Sequence, residues 1–423
     1  RQRGWSQGLT MHVCFMRMLP YLDSEDRSRA MYHGLSAVSD DTSGQPPRFS
    51  IRPLPASRVD VATLKNWFRQ FIEVRDDEGA ERCLASAMDV GANQQQVASM
   101  LFTAATDHRY INIGHVLDFT NKALEALDIV GWDDRTMVEQ VLTSLVSNFT
   151  RASRMEESNS WRHPIDLVDI LEIAFEALPG ILENQRSQSW NQRDELIPVL
   201  LGDNPQQIVS SLLSALKDGA SMEQIAGTVS YAAALRMAQF HTSNEFSDWD
   251  TTLHTFSFAN AVQMGLRRVH SPELLRGVFD AAMSVYLYRF LNIPAARIPE
   301  AGENNQTSDE ALNLLLSLLD KQQQVNEAGQ LVVQYLSGQN APERLLAQLG
   351  KALLREDRDF HTIQTLETAF TQYSLLKNDP AGVHVLVAAA RYLAAHAPTV
   401  RAQRQTYQIA QRLHHGELLF EGE

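Results

Sequence analysis

Two stretches of this chain repeat each other, and the repeat confines the fold to helices. Residues 89–105 read Asp-Val-Gly-Ala-Asn-Gln-Gln-Gln-Val-Ala-Ser-Met-Leu-Phe-Thr-Ala-Ala. Residues 217–233 read Lys-Asp-Gly-Ala-Ser-Met-Glu-Gln-Ile-Ala-Gly-Thr-Val-Ser-Tyr-Ala-Ala. Gly91 aligns with Gly219, Ala92 with Ala220, Gln96 with Gln224 and Ala98 with Ala226. In each copy the glycine suits a left-handed helix end, and Asn93 or Ser221 then suits the N-cap of a new helix. The small residues that follow let a neighbouring helix approach closely. A second correspondence pairs His115-Val-Leu-Asp-Phe-Thr-Asn121 with His254-Thr-Phe-Ser-Phe-Ala-Asn260, after a longer spacer in the second copy. A fainter third copy starts at His361, with Asp357 four residues before it. Repetition of this kind predicts helical units that share a core.

The rest of the chain fits an all-α reading. Residues 9–38 carry helical patterning on either side of Pro20, and Gly44 with the four prolines between 46 and 55 predicts an extended connector over residues 39–58. Pro164 is expected at the first position of a helix that Pro179-Gly180 ends. Residues 298–309, with Pro299, Gly302 and Asn304-Asn305, read as a linker. No alternating strand pattern of useful length occurs. The expected divisions are therefore N-terminal helices and connector (1–58), a first helical repeat (59–180), a second (181–297) and a C-terminal helical region (298–423).

Charge and cysteine content narrow the function. With 51 acidic against 37 basic residues the formal net charge is −14, which disfavours nucleic acid and anionic membrane surfaces as partners. Cys14 and Cys83 stand alone, without metal-ligand spacing, so a reducing, cytoplasmic setting is expected. The first residues show no apolar signal core, and no run of 18 apolar residues predicts a membrane span.

The chemistry concentrates in histidines with carboxylate neighbours. Between 241 and 261 the chain gathers His241, Asn244, Glu245, Phe246, Asp248, Trp249, Asp250, His254 and Phe258. On a helix Asp250 and His254 are one turn apart, where a carboxylate orients an imidazole for metal binding or base catalysis. The same pair also suits a buried structural hydrogen bond. His108 and His115 flank a break at Gly114, and His163 follows Glu156, Glu157 and Trp161. Zinc and iron favour imidazole and carboxylate ligands, and helical bundles assemble such sites from facing helices. The candidate ligands are His108, His115, His163, His241, His254 and His361. His115, His254 and Asp250 are the candidate catalytic groups. Tyr110, Phe246, Trp249 and Phe258 are expected to wall the pocket of a small organic substrate. His270, His384, His396, His414 and His415 read as surface groups. Nucleophile-elbow, Walker and dinucleotide-binding glycine patterns are absent from the sequence.

Three of these stretches resemble a bacterial family of helical proteins that carry the Rieske iron–sulfur name. They are Asp107-His108 through Gly114-His115 to Ala123, Asn244-Glu-Phe through Asp248-Trp-Asp to His254 and Phe256, and Ser158-Asn-x-Trp-Arg-His-Pro164. The resemblance implies redox chemistry, either in this chain or in a separate Rieske-type partner protein. A Rieske cluster needs paired cysteines and histidines on a β-rich domain, and Cys14 and Cys83 have no such histidines, so no iron–sulfur cluster is expected here. The Gly-Ala-x-x-x-Gln-x-Ala unit is also similar to the alkyl-hydroperoxidase-D and carboxymuconolactone-decarboxylase helical fold, without the Cys-x-x-Cys of the peroxidases. The expectation is an oxidoreductase with a histidine and carboxylate site between repeats, holding iron or zinc. The alternatives are a non-catalytic partner or scaffold for a separate redox protein.

Overall fold

Several helices begin where a short polar side chain satisfies the first free amides. The carboxylates of Asp60, Asp76, Asp134, Asp166 and Asp359 each accept a backbone N–H of the turn that follows. Asn93 and Ser221 do the same, and Gln96 and Gln224 return the bond to the capping residue's own N–H. The computed structural model describes residues 4–49, 51–55, 59–301, 307–338, 340–377 and 379–417, apart from the side chain of Phe246. Among them every regular element is helical and there is no strand. The linker residues 302–305 lie outside the described residues.

The chain divides into two units, each built from separate stretches. The first comprises Arg1–Ser6, Thr42–Arg236 and Thr251–Ile293. Within it Val61–Glu73 packs on Asp77–Asp89 and Gln94–Ala105, and Gln94–Ala105 packs on His115–Val130 and Pro272–Leu287. Leu167–Glu183 and Pro205–Lys217 pack on each other and on Pro272–Leu287. The second unit comprises Gln7–Asp41, Met237–Asp250 and Pro294–Glu423. There Phe360–Leu375 packs on Gln7–Met18, Pro342–Leu354 and Ala381–Ala395, and Ala381–Ala395 also packs on Val325–Ser337.

Several boundaries differ from the sequence expectation. The helix Ser24–Thr42 runs into the stretch expected to be an extended connector, and Thr307 caps a helix, Ser308–Leu318, at the end of the expected linker. The helix after Pro164 starts at Leu167, because Asp166 caps it by accepting the Asp169 N–H at 2.9 Å. That helix also runs through Pro179 to Glu183. Proline's fixed φ is compatible with a helix, and here the helix tolerates the loss of one backbone donor.

Candidate metal centre

The segment leading into His115 has an unusual backbone. Tyr110, Asn112, Ile113 and Gly114 all have left-handed φ, of 43°, 49°, 54° and 87°. Left-handed conformations are costly for residues with a Cβ, most of all for a β-branched isoleucine. Local bonds hold the segment in place. The Asn112 N–H donates to the Ser153 carbonyl at 2.8 Å, and the Arg109 N–H donates to Glu156 Oε2 at 3.0 Å. Gly114 is required twice over. Its φ is positive, and a Cβ there would stand 2.8 Å from the Cβ of Phe258. The loop thus lies against the helix Phe246–Arg268, one turn beyond His254, and His115 becomes the first residue of the helix His115–Val130.

This arrangement sets His115 Nε2 3.2 Å from His254 Nε2, with the rings nearly perpendicular at 80° and their centroids 4.8 Å apart. Both histidines are half-buried. Two imidazole nitrogens at this distance can share one proton or direct two lone pairs at one cation. Metal–nitrogen bonds of about 2.0–2.1 Å opening at roughly 100° span the same separation. The two histidines matched by the sequence correspondence are therefore brought face to face.

An apolar wall of the first unit adjoins the loop. Tyr110 stacks on Trp161 at 6.2 Å and meets Phe258 edge-on at 4.9 Å, and all three are buried. Burial pushes the Tyr110 phenol well above its ordinary pKa, with Tyr288 adding to the shift, so the hydroxyl keeps its proton. Further along the helix from His115, the fully buried Lys122 ammonium pairs with Glu125 at 3.0 Å, and Asn121 donates to the same carboxylate.

The other predicted ligands have different surroundings. His108 is clamped between carboxylates, Nδ1 2.6 Å from Glu156 and Nε2 2.9 Å from Glu73, so neither ring nitrogen is free for a metal. His163 is exposed. His241 Nδ1 lies 2.8 Å from Ser243 Oγ and accepts the Ser243 N–H. In the second unit His361 lies in the first turn of Phe360–Leu375, 3.9 Å from its neighbour Asp359. Asp250 Oδ1 accepts the Tyr392 hydroxyl at 3.0 Å and faces His396 Nε2 at 3.8 Å. Burial works to raise the Asp250 pKa, but His396, Tyr392 and the charge of His361 outweigh it and hold the carboxylate below its ordinary value. Trp249 is buried in the same unit, against Phe240 at 4.8 Å and Tyr392 at 6.3 Å. The side chain of Phe246 lies outside the described residues.

His396 corrects the sequence reading. It is buried, stacked on Tyr392 at 4.1 Å and 24°, because the alanine-rich helix before it packs closely enough to enclose its C-terminal end. Its spacing of four from Tyr392 was the available signal. Asp280 is a further buried polar group that no local sequence signal marks. It is a lone carboxylate in the run Val278-Phe-Asp-Ala-Ala282, and it is fully buried beside Arg109 Nη1 at 3.3 Å. Burial raises its pKa to about 6, against the pull of Arg109. No protein-family model matches the chain, and neither a curated protein nor a solved structure matches it.

Proposed function

We propose that this protein is a metal-dependent enzyme acting on a small organic molecule. His115 and His254 are two ligands of its transition-metal ion. The observation that carries the reading is the 3.2 Å approach of two Nε2 atoms, a separation that one bound ion accounts for. Two imidazoles leave coordination positions open for water or substrate. With iron bound, the ion supplies one-electron chemistry and the enzyme is an oxidoreductase. Tyr110 and Phe258 serve as the apolar wall against which the substrate is held, and the protonated Tyr110 hydroxyl is a hydrogen-bond donor there.

Elemental analysis of the protein purified without chelator tests this, together with cobalt(II) uptake followed by visible absorption. Wild type and His270→Ala, a change at an exposed histidine, are expected to hold about one ion per chain. His115→Ala and His254→Ala are expected to lose it. If wild type takes up neither native metal nor cobalt, while His254→Ala costs about 1–3 kcal/mol of stability, the two rings share a proton only. The reading as a helical partner of a separate redox protein then takes the enzyme's place.

A further inference from the structure

The first unit carries an open cleft of about 560 Å³, a volume that suits a small-molecule site. Lys65, Arg267, Arg268 and His270 line it, and its described lining includes no carboxylate, in a chain whose net charge is −14. Arg267 is committed to Glu223. Lys65 and Arg268 keep capacity for a ligand. Lys65 Nζ donates to Ser99 Oγ at 3.1 Å and stands 3.9 Å from Glu273. Burial still holds the Lys65 pKa below the ordinary lysine value, against the pull of Glu273. The surroundings thus disfavour the ammonium, and an anion beside it reverses that. Arg268 gives Nη1 and Nη2 to the two oxygens of Asp128, while its Nε is buried with no hydrogen-bond partner. A buried donor in that state costs free energy, which an acceptor oxygen recovers.

A second cleft, of about 550 Å³, adjoins the first, and Asn93 and Gln95 line both. Its aromatic group is Trp132, which is half-buried. The helix His115–Val130 ends at Gly131 with a φ of 97°, a conformation open to glycine. Just past that end, Trp132 Nε1 donates to Asp128 Oδ1 at 3.0 Å, the same oxygen that Arg268 Nη1 meets at 3.1 Å. One carboxylate therefore holds an indole and a guanidinium side by side, the indole in one cleft and the guanidinium in the other. Asp133 lines the indole's cleft, so an anion is favoured at the Lys65 end alone. At the other end the indole offers a face to a flat ring, and Asp133 can accept N–H bonds. Cations, an adjacent aromatic face and a carboxylate beyond it together fit a phosphate joined to an amino-bearing base.

We propose that the two clefts together bind a nucleoside monophosphate, its phosphate at Lys65 and Arg268 Nε and its base against Trp132. The site uses no residue of the metal centre. Calorimetric titration of the full chain with adenosine monophosphate tests the assignment, with adenosine and inorganic phosphate as its separate halves. The nucleotide is expected to bind at least tenfold more tightly than either half. Lys65→Gln removes the charge, and is expected to weaken nucleotide binding at least tenfold while leaving adenosine binding unchanged. Trp132→Leu is expected to weaken the nucleotide and adenosine alike, and Trp132→Phe, which keeps a ring, to restore most of the loss. Arg344→Gln, which removes an exposed cation of the second unit, should leave nucleotide binding unchanged. Melting temperatures establish that each variant is folded. Absence of nucleotide binding, adenosine or phosphate binding as tightly, or undiminished nucleotide binding by folded Lys65→Gln or Trp132→Leu would each overturn the proposal.

Discussion

At the scale of single residues, Gly114 decides whether the histidine pair can exist. A methyl group there meets Phe258 and also forces a side chain into left-handed backbone. Gly114→Ala is therefore expected to cost about 2 kcal/mol or more, combining left-handed strain with the clash. It should also move His115 away from His254. Denaturant unfolding measures the first effect, and the histidine ring resonances in NMR report the second. Unchanged resonances in a folded variant would show that the loop does not position His115. The sequence marks Gly114 as a break, but nothing local in it foretells contact with Phe258, 144 positions further on. Likewise the carboxylates that occupy His108, Glu73 and Glu156, come from elements distant in sequence.

At the scale of elements, the two matched helix starts form the same capping box, yet they are not equivalent. Gln96 bonds only within its box among the described contacts, whereas Gln224 Nε2 also donates to the Trp190 carbonyl at 3.2 Å. Asn93→Ala is expected to cost about 1 kcal/mol, the usual loss for an N-cap. Gln224→Ala is expected to cost more than Gln96→Ala, because it also frees a carbonyl beside the buried Trp190. Chemical denaturation of the three variants checks the order, and equal losses for the two glutamines would refute it. These starts were legible because a cap lies within three residues of what it caps. The helix through Pro179 and the burial of His396 were not, since packing by distant residues overrides local preference.

At the scale of the molecule, the buried histidines of the second unit and the buried carboxylates Asp280 and Glu81 of the first respond to acid in opposite senses. In the second, burial lowers the pKa values of His33, His12 and His384, that of His33 to about 4. Below pH 6.5 the unfolded state of such groups binds protons first, so acid removes stability until the folded pKa is reached. For His33 alone this is about 3 kcal/mol between pH 6.5 and 4. In the first unit, burial raises the pKa values of Asp280, to about 6, and Glu81. Folded Asp280 takes its proton before the unfolded chain does, so its contribution is full below pH 3.8 and is lost as pH rises through about 6. Hydrogen exchange by mass spectrometry at pH 7.5 and pH 5 is expected to show protection falling across Gln7–Asp41 and Phe360–Ala395. Protection across Pro272–Leu287 should be retained. A uniform change over both units would contradict this.

The way the units divide the chain also bears on the order in which the protein is made. Arg17 pairs with Glu367 at 2.9 Å, and the helix Gln7–Met18 packs on Phe360–Leu375. The helix Gln7–Met18 thus waits for a partner synthesised some 350 positions later. All the segments of the first unit have emerged by Ile293, before most of the second unit exists. Until then the side of that helix carrying Val13, Cys14, Phe15 and Met18, buried in the finished protein, lacks the helix Phe360–Leu375 on which it packs. Nascent chains halted near residue 340 should accordingly bind holdase chaperones through the helix Gln7–Met18 while the first unit resists protease.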